Sequence, residues 1–273
     1  MTFARLICGA VLFACATAGQ AATPQSPPAA AKTLKARSMS SSVRLEYTDF
    51  SKLYGSRTVL TADSKLGTGQ ATRFIVSASA GERTGAATNR AAQASAAIDH
   101  DWTERLSSQT AAAAATSGLV FARTTVGQDI SYKLGRGLVA TAGARYSSYG
   151  LGNNVASWSG AAAYYLRGAF VSYRYSLYAS NRFGRSHSHL ASVRLYDRSG
   201  GGYTQLWAGH GTSLYEVELP HSPTGRFTSI AVQRHQPIAG AVGLNVGVNE
   251  AWYATPAGRF RGTGVVGGLS FSR

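Results

Sequence analysis

The sequence predicts an all-β protein, a closed antiparallel transmembrane β-barrel of about 14 strands, with 12 strands as the alternative count. Three observations lead there: apolar and polar residues alternate, an export signal begins the chain, and short and long connections alternate. The alternation is clearest in "LVATAGARYSSYG", where Leu138, Ala140, Ala142, Ala144 and Tyr146 take every second position. Because a strand presents successive side chains to opposite faces, these residues meet different surroundings from their neighbours.

Composition agrees with short strands and tight turns. The 273 residues include 31 Gly and 14 Tyr, whereas charged residues make up only 14%. The formal net charge of +15 indicates anionic partners. Nucleic acid is the usual counterpart of such a charge, but an exported protein rarely meets it. We therefore expect lipopolysaccharide phosphates or an anionic saccharide as the counter-charge, and no nucleic acid.

The N terminus is typical of a secretory signal peptide over residues 1–21, with basic Arg5 ahead of an apolar stretch and a small residue, Ala21, at the cleavage site. The apolar stretch is too short for a membrane-spanning helix, which needs about 20 residues. Cys15 lies in a weak match to a lipidation signal, so a lipidated N terminus is an alternative. Both cysteines would leave with the signal peptide.

The rest of the chain divides into a leader and one domain. Residues 22–40 are rich in Pro and Ala and predict a flexible leader. Residues 41–273 have a uniform texture and are expected to form the barrel. A soluble sandwich would pack its apolar faces together. The export signal and the Tyr and Trp residues near strand ends favour the reverse arrangement, with apolar faces toward lipid and polar faces toward a lumen. The alanine-rich segments 91–100 and 107–117 are the weakest strands.

The connections predict which end of the barrel faces the periplasm. Short periplasmic turns and longer outer loops alternate in bacterial barrels, and an even strand count leaves both chain ends in the periplasm. The short connections are expected at 66–70, 103–107, 134–137, 166–168, 197–202 and 235–241. The longer ones are expected at 81–90, 146–154, 179–187, 214–225 and 249–258.

The last segment, "GTGVVGGLSFSR", places Val265, Leu269 and Phe271 on one face. Barrel-assembly machinery is the expected partner of this C-terminal strand. Such strands commonly finish on an aromatic residue, whereas here Phe271 is third from the end of the sequence and Arg273 is last.

The chain resembles the YaiO family of outer-membrane β-barrel proteins. The resemblance lies in "GQDISYKLGRGLVATAGARYSSYG", "AAAYYLRGAFVSYRYSLYASN" and "SHLASVRLYDR". It implies a location in the bacterial outer membrane, and in this family the barrel is sometimes carried behind helical repeats or beside saccharide-polymer machinery. The sequence shows no such repeats. The resemblance implies no catalytic residues.

Two histidine motifs are candidates for chemistry. In "IDHDW", strand parity puts Asp99 and Asp101 on the lumen face and His100 on the lipid face beside Trp102, so acid–base chemistry by the three together is not expected. In "RSHSHL", His187 and His189 share a face, but two imidazoles make an incomplete metal site. We predict a polar outer edge there, with no metal and no cofactor.

A series of lumen arginines carries the most functional weight. Lining a water-filled pore, they would favour anions. Neutralised by lumen carboxylates, they would brace a closed barrel instead, since attraction strengthens away from bulk water. The chain has 27 basic and 12 acidic residues, so some arginines stay unpaired. The basic series is Arg44, Arg145, Arg174 and Arg194, and the carboxylates are Glu46, Asp99, Asp101 and Asp129.

Three functions follow from these features. The first is a non-enzymatic outer-membrane barrel with a structural or transport-associated role, linked to surface saccharide. The second is an anion-preferring diffusion channel. The third, a barrel hydrolase acting on lipid or peptide, depends only on dispersed His, Ser and Asp residues.

Overall fold

Fourteen antiparallel strands close into one barrel in the computed structural model, which describes residues 38–51, 54–68, 71–85, 87–198, 201–213, 224–256 and 258–272. The signal peptide, most of the leader and Cys15 lie outside these residues. The strands are β1 (Ser38–Phe50), β2 (Ser56–Gly67), β3 (Thr72–Arg83), β4 (Asn89–Asp101), β5 (Leu106–Ala115), β6 (Thr124–Gly135), β7 (Leu138–Ser148), β8 (Asn154–Leu166), β9 (Ala169–Ser180), β10 (Gly184–Tyr196), β11 (Tyr203–Ser213), β12 (Thr224–Ala239), β13 (Val242–Thr255) and β14 (Gly258–Ser272).

Each strand pairs with the next in sequence, and β1 pairs with β14 from Ser40↔Ser272 to Phe50↔Gly262. This seam closes the sheet, so no row of backbone N–H and C=O groups is left unpaired in hydrocarbon. The predicted closed barrel and its count of 14 are confirmed. The alanine-rich segments form β4 and β5. None of the described residues belongs to a helix long and apolar enough to cross a bilayer.

The apolar face of each strand points outward. On β6 and β13, Val126 and Val248 are 55% and 50% exposed, although a soluble protein would bury such side chains. On β1, Glu46 and Thr48 are buried instead. Exposed aliphatic residues all around a closed sheet are typical of a surface that contacts acyl chains, and the polar face of the sheet encloses the lumen.

Both chain ends lie at the same end of the barrel, which we call the periplasmic end. Its six turns lie where the short connections were expected, at 68–71, 102–105, 136–137, 167–168, 197–202 and 240–241. The turn at 136–137 has φ of 48° at Arg136 and 85° at Gly137, so both residues adopt the left-handed conformation of a tight hairpin.

The connections at the outer end are shorter than the sequence predicted. The expected loops at 179–187 and 249–258 shrink to 181–183 and 256–257, because the strands continue through them. The strands run for 10–16 residues, whereas crossing a membrane needs about 9–11. Alternation of side chains persists beyond the bilayer, so it does not mark where the membrane ends. The remaining outer connections are 51–55, 84–88, 116–123, 149–153 and 214–223, the last outside the described residues.

Candidate functional site: the barrel lumen

The lumen face carries more cations than carboxylates. Nine arginines and lysines of the described strands alternate onto this face, against five aspartates and glutamates. All eight residues that the sequence nominated are among them. The cations are Arg44, Arg57, Lys65, Arg73, Arg83, Lys133, Arg145, Arg174 and Arg194, and the carboxylates are Glu46, Asp63, Asp99, Asp101 and Asp129.

Two ion pairs lie at the middle of the lumen. Arg44 Nε lies 2.6 Å from Glu46 Oε1 on β1. On the wall formed by β6–β9, Arg174 Nη2 lies 3.6 Å from Asp129 Oδ2. Gly143 makes room for this second pair, since a Cβ at that position would overlap the Asp129 carboxylate. These contacts neutralise two of the four nominated arginines.

The other two nominated arginines have no carboxylate partner among the described residues. Arg145 lies on β7, and its Nε has no hydrogen-bond partner among the described residues. Arg194 on β10 donates from Nε to Gln205 Oε1 at 2.7 Å, and its guanidinium lies 4.2 Å from the centre of the Tyr203 ring. Both arginines therefore leave positive charge on the lumen wall.

A separate ion network occupies the periplasmic end of β2–β5. Asp99 lies 3.6 Å from Arg73 Nε and 3.7 Å from Lys65 Nζ, and Gln109 donates to it at 2.6 Å. Asp101 accepts from Arg73 Nη2 at 3.2 Å. The two aspartates thus pair with Arg73 and Lys65, which the sequence analysis did not single out, rather than with the nominated arginines.

Aromatic rings line the periplasmic end on the opposite wall. Tyr165 and Phe170 lie on β8 and β9 with ring centres 4.9 Å apart. Tyr203 on β11 stacks on His235 of β12 at 5.1 Å and 23°. Flat rings therefore lie beside the Arg194 guanidinium at this end of the lumen.

The connection between β5 and β6 fills part of the outer end. Val120 and Phe121 have 0% and 1% exposure and pack against Val59 and Ala91 of the wall. Arg57 donates to the Val120 carbonyl at 3.4 Å, and its guanidinium lies 5.8 Å from the Phe121 ring centre. We call residues 116–123 the inward segment, because its apolar side chains pack against the lumen wall.

A second apolar cluster lies at the outer end where β12–β14 meet β1. Phe50, Phe227 and Tyr253 are all at most 6% exposed. Phe260 stacks on Tyr253 at 4.5 Å and on Tyr54 at 4.0 Å. The two clusters make the outer end of the lumen resemble a protein core. At the middle, lumen residues such as Ser157, Ser159 and Ala161 stay partly exposed.

The "IDHDW" residues do not meet as one site. Asp99 and Asp101 lie in the lumen network described above. His100 points outward, where its Nδ1 lies 2.8 Å from Thr72 Oγ1 and its ring meets Trp102 edge-on at 4.5 Å. Trp102 donates from Nε1 to Ser108 Oγ at 2.9 Å. The arrangement matches an aromatic belt at the membrane interface.

The "RSHSHL" histidines belong to β10 rather than to a loop. His187 and His189 share the outward face, with ring centres 5.4 Å apart. The neighbouring serines lie on the opposite face of the strand, so no Ser–His pair of the kind hydrolases use forms here. Across the described residues, no group of three or more His, Cys, Asp and Glu side chains could hold a metal ion.

The inward segment is the main feature that the sequence analysis missed. Its signal was Leu119, Val120 and Phe121, three consecutive apolar residues in a connection between strands. A run of apolar residues in a connection is expected to be buried, and here Val120 and Phe121 are buried against the lumen wall. The lumen cations of β2 and β3 were also missed, although the same alternation places Lys65 and Arg73 there.

Among solved structures, the fold of this chain is similar to that of outer-membrane barrels. A "Bacterial polysaccharide outer membrane secretin" has a TM-score of 0.53 at 10% identity, over 88% of this chain and 99% of that chain. The "CymD monoaromatic hydrocarbon channel" also has a TM-score of 0.53, at 7% identity, over 88% and 89%. The "Anion-selective porin from Comamonas acidovorans" has 0.45 at 11% identity, over 87% and 99%. At identities this low, the similarity to the first two structures shows a common fold and nothing more.

A family model shows to which family the chain belongs. The model for the YaiO membrane beta barrel domain matches residues 39–216, which is more than half of the chain. The resemblance and the outer-membrane location expected from the sequence are both confirmed. This chain therefore belongs to the YaiO family of bacterial outer-membrane β-barrel proteins.

Proposed function

We propose that the barrel is a non-enzymatic conduit for anionic solutes, suited to acidic saccharide chains that enter from the periplasmic end. The observation that carries the proposal is the lumen's charge: nine cations face five carboxylates on the described strands. Charge of one sign along a narrow, partly dry passage favours ions of the opposite sign.

The position of the excess charge supports anion passage over mere bracing. Bracing needs each cation to meet a carboxylate, as Arg44 and Arg174 do. Arg145 and Lys133 pair with no carboxylate of the described strands. Charges left unpaired beside partly exposed small residues remain available to a solute.

The aromatic rings of the periplasmic end support a saccharide. A sugar ring presents an apolar face that can lie on an aromatic ring, and its acidic groups can meet a guanidinium. Tyr165 and Arg194 offer the two groups on one wall, since each is the cross-strand partner of Phe170. The structural neighbour described as a polysaccharide secretin is consistent with this proposal at the level of the fold.

The buried outer end favours a restricted passage over a permanently open channel. Val120 and Phe121 have almost no solvent exposure, and so do Phe50 and Tyr253 of the neighbouring cluster. A solute can pass only when these side chains move. We expect the wild-type protein to conduct weakly.

The absence of an enzymatic role is part of the proposal. The nominated histidines point away from the lumen, whereas Asp99 and Asp101 point into it and are held by Arg73 and Lys65. A general base and its partner would have to lie within hydrogen-bond reach on one face.

Planar-bilayer recording tests the proposal through the reversal potential in a KCl gradient. We expect a preference for Cl⁻, reduced roughly two- to fivefold by Arg145→Gln, since one charge at 4 Å is worth about 1 kcal/mol in water. If wild-type conductance is too small, the same measurement is made on Val120→Ala/Phe121→Ala. An oligouronate added at the periplasmic side should block this current, and a neutral maltooligosaccharide of equal length should not.

The matched control is Arg90→Gln. Arg90 lies on the outward face of β4 and pairs with Glu82, so its loss should leave selectivity unchanged. Cation preference, or an equal effect of Arg90→Gln, would contradict an anion-selective lumen. Equal block by both sugars would contradict the acidic-saccharide assignment alone.

A further inference from the structure

A row of polar and aromatic side chains crosses the lipid-facing wall of β9–β14. Successive Cα partners in the sheet form the row, so its members are direct cross-strand neighbours on one face. No aliphatic residue interrupts it. The row is Tyr175, His189, His210, Thr228, Trp252 and Arg261.

Each imidazole of this wall makes a hydrogen bond through Nδ1 and leaves Nε2 without a partner among the described residues. His189 Nδ1 lies 2.7 Å from Tyr173 Oη, and His210 Nδ1 lies 3.0 Å from Thr228 Oγ1. His187 lies two residues nearer the outer end of β10, and its Nδ1 is 3.2 Å from Thr212 Oγ1. No described residue hydrogen-bonds to the Nε2 atoms, which are free to donate to a ligand.

Guanidinium groups lie immediately outside the row. Arg185 on β10 and Arg226 on β12 are exposed, and no carboxylate among the described residues pairs with either. The β14 end is different, because Arg261 lies 3.8 Å from Glu250, and Asp49 of β1 is the register partner of Thr263. Unpaired positive charge therefore lies on β10 and β12, and Arg259, two residues before Arg261, adds a further exposed guanidinium on β14.

Among the described residues, the outer end of the opposite wall carries no histidine, and its one outward arginine, Arg90, is paired with Glu82. The other outward residues at the outer ends of β3–β5 are Ala80, Ala92, Ala94, Ala112 and Ala114, all exposed. Alanine is therefore sufficient in this barrel where a strand only has to contact acyl chains. The histidine and arginine residues of β10–β12 need another explanation.

We propose that the outward face of β10–β12 binds the phosphate groups of lipid A in the outer leaflet. Trp252 lies in the row, and aromatic belts mark the membrane interface, so Arg185 and Arg226 lie at headgroup depth. Arginine binds phosphate through paired N–H donors, and the imidazole Nε2 atoms add donors just below. We call this the headgroup site: Arg185, His187, His189, His210 and Arg226.

The test is lipid A binding to the full mature barrel, refolded into detergent free of lipopolysaccharide. Native mass spectrometry gives the apparent Kd for bisphosphorylated lipid A. We expect Arg185→Gln/Arg226→Gln to weaken binding about tenfold or more, since hydrogen bonds between charged groups contribute about 1.5–3 kcal/mol each. Monophosphoryl lipid A should bind more weakly than the bisphosphorylated form, and phosphatidylethanolamine more weakly still.

The controls separate a built site from general attraction. Arg90→Gln removes an outward arginine from the alanine-rich wall and should leave the Kd unchanged. Millimolar inorganic phosphate should compete poorly if the lipid, rather than free phosphate, is the ligand. Equal loss in Arg90→Gln, or equal affinity for the two forms of lipid A, would overturn the proposal. Heat-modifiable migration on gels verifies that each variant is folded, and the lumen proposal stands or falls separately.

Discussion

The two ends of the lumen are built from the same alternating strands and yet form opposite environments. At the outer end, Val59 packs with Phe121 in one buried cluster, and Phe50 packs with Phe260 in the other. Toward the periplasm the same face of the strands carries Lys65 and Arg73 in a partly exposed ion network. The face of a barrel strand therefore decides whether a residue points inward, but not whether it meets water there.

The difference has a physical cause in the connections. The outer end receives the inward segment, which supplies apolar side chains that the wall must match. The periplasmic turn at 102–105, between the network strands β4 and β5, is four residues long and exposed throughout, so it does not fill the lumen. Polar lumen residues at that end therefore keep their hydration, which charged groups require.

The largest effect should come from removing the inward segment's apolar side chains. Val120→Ala/Phe121→Ala should lower the free energy of unfolding by at least about 3–5 kcal/mol, the cost of truncating one buried Phe. Conductance in planar bilayers should rise several-fold, because the outer end loses its filling. Leu151→Ala, an outer-loop residue that is 73% exposed, is the control. Unchanged conductance in the double variant would mean that the passage is restricted elsewhere.

The second cluster is tested by Phe260→Ala. Phe260 is 5% exposed and stacks on two rings, so its loss should cost about 3 kcal/mol in denaturant unfolding. Phe74→Ala is the matched change on the lipid face, where Phe74 is 41% exposed. The lipid-facing change should cost clearly less. Equal costs would show that the outer end is not a packed core.

A moderate effect is expected at the middle of the lumen. Asp129→Asn keeps the shape of the side chain but leaves Arg174 without its carboxylate. Since Arg174 is 21% exposed and keeps some water, the loss of stability should be about 1–2 kcal/mol. The reversal potential should shift further toward Cl⁻. A shift toward K⁺ would contradict the electrostatic account of the lumen.

The smallest effect concerns a periplasmic turn. Arg234 hydrogen-bonds to Asp197 and thereby lowers the pKa of that carboxyl below its usual value. A lowered folded-state pKa adds stability above the ordinary pKa of aspartate, and this stability is lost as pH falls through the lowered value. Asp197→Asn should therefore lower Tm slightly at neutral pH, and the two proteins should melt alike in strong acid. A difference that grows on acidification would contradict this assignment.

The strands were largely predictable, because alternation is a property of the local sequence. Ala140 and Tyr146 against Arg145 give β7 its orientation without any knowledge of distant residues. The same rule extended to "TADSK" would have placed Asp63 and Lys65 in the lumen. It holds for β4 and β5 too, where strings of alanine made the pattern faint.

The pairing of charges and the filling of the outer end were not predictable in this way. Asp129 meets Arg174 across three strand positions around the barrel, which no spacing in the sequence encodes. Phe121 lies in a connection, and whether a connection turns inward depends on space left by residues such as Gly81 on another strand. Such contacts depend on barrel closure, so they follow from the fold rather than from any one segment.

The long strands also shape what the cell surface presents. Because paired backbone continues past the bilayer, the outer connections that are described in full, 116–123, 149–153 and 181–183, span only three to eight residues. Antibodies, the receptor-binding proteins of phages and added proteases usually act on long exposed loops. On an intact cell, such agents would meet a stiff, hydrogen-bonded rim at these positions.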